Sequence, residues 1–326
     1  MTELCINTKD LSKTYRSGLM GRKRFEALSG LDLSVSEGEI LAFLGPNGAG
    51  KTTTINLLMG FLQPTAGSVK LFNRDPEDHL VRSKLGYLPE NYAFYPYMTA
   101  ATLLNYFADL LNLTRTERTE RIEKLLVQLD LWDARNRSIG SYSRGMKQRL
   151  GIIQALLNKP ALLILDEPTS GFDPTGRKMV RKLLLDLRNN GTSIFLSSHI
   201  LSEVETVCDR VMIINKGRLV REGTLNNILG KTTYEIRYYD QQKVIAKKIA
   251  ALGFEPEETN AYNSIVALDA DTAQQVVRLI VESGARLEAL IPKMNTLEDV
   301  FLETVGMETT PSADFPNSAE KSGVEQ

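Results

Sequence analysis

The sequence predicts an α/β fold on a mainly parallel sheet, with an antiparallel β subdomain, an inserted helical subdomain and a small C-terminal α+β domain. Three observations predict it. Short apolar runs alternate with helical periods through residues 25–225, the pattern of strands joined by crossover helices. One such run, Glu39–Leu44, leads straight into Gly45-Pro46-Asn47-Gly48-Ala49-Gly50-Lys51-Thr52 and then a helix. Another, Leu162–Leu165, ends in the acidic pair Asp166-Glu167.

The elements follow in order. Residues 3–11 and 25–35 alternate apolar and polar side chains and read as paired strands;. The basic loop between them, Arg16–Arg24, reads as solvated. Glu39–Leu44 is a short buried strand, followed after the glycine loop by a helix over Thr52–Met59. Residues 99–157 carry helical periods. Thr114 and Glu117 form a capping box, and Ile122, Leu125, Leu126 and Leu129 share the core face of the helix it opens. Strands return at Ala161–Leu165, Ser193–Ser197 and Val211–Asn215, and a helix closes near Gly191.

Beyond Gly230, strands at Tyr234–Tyr239, Ser264–Leu268 and Arg286–Ile291 alternate with helices over Val244–Leu252, from an Asp271 cap to Glu282, and over Leu297–Thr304. The predicted organisation is therefore a main domain over 1–229 with a helical insert at about 91–157, and a C-terminal α+β domain over 230–306. Residues 307–326 are polar and rich in Ser, Pro and Glu, and read as a disordered tail;.

Composition narrows the function. The 326 residues are 42% apolar and 24% charged, which suits a globular chain able to bury a core;. A net charge of −1 supplies no global field toward nucleic acid;. The N-terminus has no apolar core of a secretory signal. No apolar run approaches the roughly 18–20 residues of a membrane span. The expectation is a cytoplasmic protein that meets a membrane only through another chain. Cys5 and Cys208 are expected to be inert buried thiols, and two histidines exclude a His-rich metal site;.

The glycine loop fits G-x-x-x-x-G-K-[ST]. Glycines let successive backbone N–H groups converge on phosphate oxygens, and the following helix adds its positive N-terminus. Lys51 should reach the β- and γ-phosphates, and Thr52 should ligate Mg²⁺. The buried strand before Asp166 and Glu167 delivers both carboxylates to the sheet end where α/β folds hold ligands. Asp166 suits a grip on Mg²⁺, and Glu167 suits polarising the attacking water. His199, after the strand at Ile194–Ser197, is either a structural histidine or a γ-phosphate sensor. Together these parts describe a P-loop NTPase. A guanine specificity is poorly supported, because Asn215-Lys216-Gly217-Arg218 lacks the aspartate of a guanine-reading NKxD motif.

The order of motifs over residues 3–225 resembles the nucleotide-binding domain of the ABC ATPase superfamily. GPNGAGKTT is similar to its Walker A, LLILDEP to its Walker B with the catalytic glutamate, Ser170–Asp173 to its D-loop and Ser198-His199 to its switch histidine. Tyr142-Ser143-Arg144-Gly145-Met146 falls at its signature sequence. Ser143 and Gly145 match, while Tyr142, Arg144 and Met146 depart. YSRGMKQRL and the C-terminal TLEDVFL are similar to the ABC-2-type exporter branch.

The resemblance implies an ATPase subunit with ATP and Mg²⁺ as cofactors. It implies catalytic roles for Glu167, His199 and Lys51. ATP contacts would come from Tyr15, stacked on adenine, from Gly45, Pro46, Asn47, Gly48, Ala49, Gly50, Lys51, Thr52 and Thr53, and from Ser143 and Gly145. Metal ligands would be Thr52, Asp166 and Glu90, the last standing where the superfamily usually has glutamine. It also implies a homodimer that sandwiches ATP, drives a polytopic membrane permease on the cytoplasmic face, and does not act on nucleic acid. The aromatic loop Asn91-Tyr92-Ala93-Phe94-Tyr95-Pro96-Tyr97 is either local packing or a docking surface. Two rival functions stay open: a soluble ABC ATPase acting on nucleic acid or ribosomes, and a non-hydrolytic ATP-dependent switch.

Overall fold

The computed structural model describes residues 3–17, 23–240, 249, 254, 257–258 and 262–306. The predicted tail, most of the basic loop and all but one residue of the helix expected over 244–252 lie outside the described residues.

Strands β1 (Leu4–Ser17) and β2 (Lys23–Ser36) pair antiparallel, and β4 (Ala66–Leu71) joins β1 on its other side. The β1–β2 ladder continues past the predicted strand ends, through Tyr15 opposite Phe25 and Arg16 opposite Arg24. Burial stops earlier, because Phe25 is 60% exposed. The apolar alternation therefore marks the buried part of the ladder and not its full length.

The main sheet has six strands in the order β5-β6-β7-β3-β8-β9. They are β3 (Ile40–Leu44), β5 (Leu85–Leu88), β6 (Leu162–Asp166), β7 (Ser193–Ser197), β8 (Arg210–Asn215) and β9 (Arg218–Thr224). All neighbours run parallel except β8 and β9, which form a hairpin. Every residue of β3, β6 and β7 is buried, as a sheet covered on both faces demands. Alternate residues serve two cores. Ile40, Ala42, Leu44, Leu163 and Leu165 meet the helices α3 (Ala100–Leu110), α4 (Arg115–Gln128), α5 (Arg144–Leu156) and α6 (Pro174–Asn189). Leu41, Phe43, Leu162 and Ile164 meet the three-stranded sheet and helix α1 (Lys51–Leu58).

Four of the parallel strands, β5, β6, β7 and β3, are adjacent. Their C-terminal ends open onto one edge of the sheet, and this edge carries Glu90, Asp166–Glu167, His199 and the glycine loop. The Thr114–Glu117 capping box opens α4 as expected, with Ile122 and Leu126 buried. Short helices α2 (His79–Arg82), α7 (Leu201–Val207) and α8 (Leu225–Leu229) fill the connections. Both cysteines are buried and unpaired, and burial pushes the Cys5 thiol up to about 11.

After α8 comes an antiparallel sheet in the order β11-β12-β10-β13: β10 (Thr233–Tyr239), β11 (Glu257–Glu258), β12 (Asn263–Ala267) and β13 (Arg286–Lys293). Helix α9 (Ala270–Glu282) covers one face through Ala273, Val276 and Ile280. Its cap is Asp269, which accepts from Thr272 N–H at 2.8 Å, and not Asp271 as predicted. Asp271 sits inside the first turn, where a carboxylate is favoured by the helix dipole, so the two positions give similar sequence signals;.

The last helix, α10 (Leu297–Val305), packs back on α7, α8 and β8. Leu297 is fully buried, and it and Val300 belong to the same core as β3 and β6. The Leu297 N–H donates to the Glu205 carboxylate on α7, the helix that begins two residues after His199. Leu297→Ala should lower unfolding stability by about 2–4 kcal/mol, the usual cost of emptying a closed leucine site. Urea denaturation of the full chain checks this, and a shift near zero would mean that α10 is not docked.

Candidate functional site

A cleft of about 550 Å³ lies at the C-terminal edge of the parallel strands, lined by the glycine loop, Glu90, Asp166, Glu167, Ser170 and His199. The loop owes its path to two glycines. Gly50 has a left-handed φ of 111°, and a Cβ there would meet the Ala27 carbonyl at 2.7 Å. A Cβ on Gly45 would meet the Ile214 carbonyl at 2.5 Å. Both positions exclude any side chain. Gly50 is the N-cap of α1, with no side-chain cap and no acidic residue in the first turn. The helix therefore keeps its orphan N–H groups and positive end for an anion.

The Lys51 ammonium donates to the Gly45 and Pro46 carbonyls at 2.6 and 3.2 Å. Burial lowers its pKa, against the pull of Glu167, Asp166 and Glu90. A half-buried cation facing three carboxylates suits a site built for a negatively charged ligand with its own counter-cation;.

Asp166 is 3% exposed and accepts from the Ser197 hydroxyl. Burial raises its pKa; the Ser197 hydrogen bond opposes this, and Glu90 and Glu167 add to the rise. Glu167 has its backbone at φ 54°, in the left-handed region. Its Oε2 lies 2.6 Å from His199 Nδ1 and accepts from the His199 backbone N–H at 3.3 Å. An ionised carboxylate can only accept, so the imidazole donates from Nδ1 and Nε2 is left for the cleft. The carboxylate is nearly buried while the ring is 65% exposed.

The structure thus gathers most of the sequence candidates. Asn47, Gly48, Gly50, Lys51, Thr52 and Thr53 line the cleft with Glu90, Asp166, Glu167 and His199. Gly45 and Pro46 hold the Lys51 ammonium, and Ala49 is buried beneath the loop. Tyr15 reaches the site only through its hydroxyl, 3.4 Å from Thr53 Oγ1. The aromatic on the cleft wall is Phe25, opposite Tyr15 in the β1–β2 ladder. Sequence reasoning missed Phe25; the signal available was an aromatic at the first residue of the strand predicted over 25–35.

Ser143 and Gly145 do not line the cleft. Ser143 is the N-cap of α5, its Oγ accepting from Met146 N–H at 3.2 Å. Arg144 donates to Ser170 Oγ at 2.9 Å, and its chain lies over Gly171, so this turn packs on the 170–173 loop. The aromatic loop is only partly packed. Tyr92 and Phe94 pack against the helical core, while Tyr95 and Tyr97 are 58% and 77% exposed.

Residues 28–170 match the family described as ABC transporter. Over 313 residues, 95% of the chain and 92% of the relative, the sequence is 37% identical to an ABC transporter ATP-binding protein of Nostoc sp.. The chain belongs to the ABC transporter ATP-binding proteins. It is also 34% identical to the bacitracin transport ATP-binding protein BcrA of Bacillus licheniformis, over 92% of this chain and 97% of that one. Among solved structures it is similar to an ATP-binding subunit of an ABC transporter, with a TM-score of 0.63 and 31% identity over 69% of this chain and 91% of that one. A dimeric ATP-binding cassette in a post-hydrolysis state with ADP and Pi matches with a TM-score of 0.62 and 26% identity, over 68% of this chain and 99% of the other. This ABC ATPase therefore binds and hydrolyses ATP, on a P-loop fold. Among the described residues no helix is long and apolar enough to cross a membrane.

Proposed function

We propose that this chain is the ATP-hydrolysing subunit of an ABC-2-type exporter, working as a homodimer on the cytoplasmic face of the membrane through a separate polytopic permease. One observation carries the reading: Ser143 and Gly145 stand apart from the cleft of their own chain. A second copy can therefore offer them to the γ-phosphate held by the first. The exporter assignment is supported by similarity to a bacitracin transport protein across 92% of the chain, including the segment after residue 230.

In this reading the loop N–H groups, the α1 N-terminus and Lys51 hold the ATP phosphates and neutralise charge as the γ-phosphoryl group leaves. Adenine lies beside Phe25 and Tyr15. Glu167 takes the proton of the attacking water, with His199 orienting its carboxylate through Nδ1 and facing the γ-phosphate through Nε2. The residues fit Mg²⁺. Asp166, Glu90 and Thr52 offer hard oxygen ligands; burial, with Glu90 and Glu167 adding to it, raises the Asp166 pKa, so a bound cation would favour its charged form;. Among the described residues no group of three His, Cys, Asp or Glu can hold a metal alone. Mg²⁺ would take its remaining ligands from phosphate and water. When bound, Mg²⁺ would screen the β- and γ-phosphates.

Exposed Tyr95 and Tyr97, five and seven residues after Glu90, would give the permease an aromatic surface close in sequence to the cleft;. Coexpression with a candidate polytopic permease tests the reading. The chain should copurify with that protein, and vesicles carrying both should show substrate-dependent ATPase activity. A chain that stays unattached and inactive with MgATP would favour a non-hydrolytic switch. Glu90→Gln should raise apparent ATP affinity a few-fold by removing one negative charge near the phosphates, at up to about 1 kcal/mol for an exposed pair. Equal affinity, ATPase and transport would make that charge incidental.

A further inference from the structure

Glu167 is held in a left-handed backbone conformation that costs a non-glycine residue about 1–3 kcal/mol, so something must maintain it. On one side its N–H donates to the Ser197 carbonyl and hydroxyl, both at 3.2 Å. On the other side the grip comes from Gln148 on α5. Gln148 Nε2 donates to the Glu167 and Pro168 carbonyls, both at 3.2 Å. Gln148 is only 4% exposed, and its Oε1 accepts from the Tyr92 hydroxyl at 2.6 Å.

The chemistry of the amide makes this arrangement directional. Two carbonyls need two N–H donors, so the NH₂ end must face Glu167 and Pro168. The oxygen end then faces Tyr92, whose hydroxyl must donate. Burial pushes the Tyr92 hydroxyl up to about 12, so it keeps the proton it donates. A flipped amide would set an oxygen against two carbonyls inside a buried site, which is costly. Every polar atom of Gln148 is thus committed, and none serves ATP directly.

We propose that Gln148 is a positioning residue for hydrolysis: its amide holds the Glu167–Pro168 backbone in the conformation that aims the Glu167 carboxylate into the cleft, and the Tyr92 hydroxyl fixes which way that amide faces. Tyr92 is the first aromatic of the aromatic loop, two residues after Glu90. Gln148 sits on the helix whose N-terminus carries Ser143 and Gly145. The relay therefore joins three parts of the molecule at one side chain. It rests on the reading of Glu167 as the base.

Steady-state ATPase kinetics of the full chain test it with Gln148→Met, Tyr92→Phe, the double variant and Glu167→Gln. Gln148→Met keeps the volume and removes both donors. It should lower kcat about tenfold or more while KM for MgATP moves less than about twofold, because the phosphate loop is untouched. Tyr92→Phe should lower kcat by a smaller factor. The double variant should be no worse than Gln148→Met alone, since an absent amide needs no orienting. A Gln148→Met enzyme with wild-type kcat, or losses that multiply in the double variant, overturns the relay. So does a loss that falls on kcat and KM together with a lowered melting temperature, which marks packing alone. If Gln148→Met does not fold, Tyr92→Phe carries the test, and an unchanged kcat overturns the proposal. Glu167→Gln turning over at the wild-type rate would overturn the base assignment beneath it. An inactive Glu167→Gln beside a fully active Gln148→Met overturns the relay only.

Discussion

Glu167→Gln should reduce kcat for ATP hydrolysis by about 10²–10⁴-fold, the usual contribution of a positioned general base, with ATP affinity kept or improved. The substitution preserves shape. A glutamine oxygen can still accept from His199 Nδ1–H where Oε2 now does, at 2.6 Å. The main-chain grip from Ser197 and Gln148 does not involve the side chain that changes. What is lost is basicity, together with one of three carboxylate charges that face Lys51. Losing that charge makes room for the negative charge of ATP, so binding should not weaken. The chain should then stay loaded with ATP, and light scattering should detect an ATP-dependent dimer that outlasts that of the wild type. A variant that hydrolyses within about tenfold of wild type would move the base elsewhere, to His199 or Glu90.

The legible part of this site was the part whose chemistry is local. The glycine loop needs left-handed and side-chain-free positions within eight consecutive residues, and a buried strand announces where Asp166 and Glu167 must emerge. Parallel alternation then implied that the loop, the carboxylates and His199 share one edge. The hidden features are those fixed across long separations by groups with no sequence signature. Gln148 reaches backbone carbonyls 19 and 20 residues away, and a carbonyl looks the same at every position. Leu297 finds Glu205 across 92 residues. Phe25 reaches the cleft only through the register of β1 and β2. Strand β4 was missed because only Val69 and Leu71 of its six residues are buried, too few for an alternation to stand out.

Gly145→Asp and Ser143→Arg should each abolish ATP-driven dimerisation and hydrolysis while leaving ATP binding at the chain's own phosphate loop within about twofold of wild type. The argument turns on what glycine does at position 145. Within one chain it is not needed. Its φ is not left-handed, and a Cβ there would meet Gly171 O and the Phe172 ring at 3.7 Å, ordinary contact. Glycine in a helix costs up to about 1 kcal/mol relative to alanine, less near an end, and no close contact within the chain requires it at this first-turn position. In the proposed dimer a bare backbone at 145 would instead let the partner's ATP approach closely. Aspartate in the first turn of α5 favours the helix dipole, so Gly145→Asp should fold at least as well as the parent. Its carboxylate would still repel a γ-phosphate. Ser143→Arg loses the cap to Met146 N–H, worth about 1 kcal/mol, and fills the space where a partner must close. Introduced beside Glu167→Gln, either change should convert a stable ATP-bound dimer into an ATP-bound monomer. A dimer that persists under ATP in both double variants would show that Ser143 and Gly145 do not touch the nucleotide of a second chain.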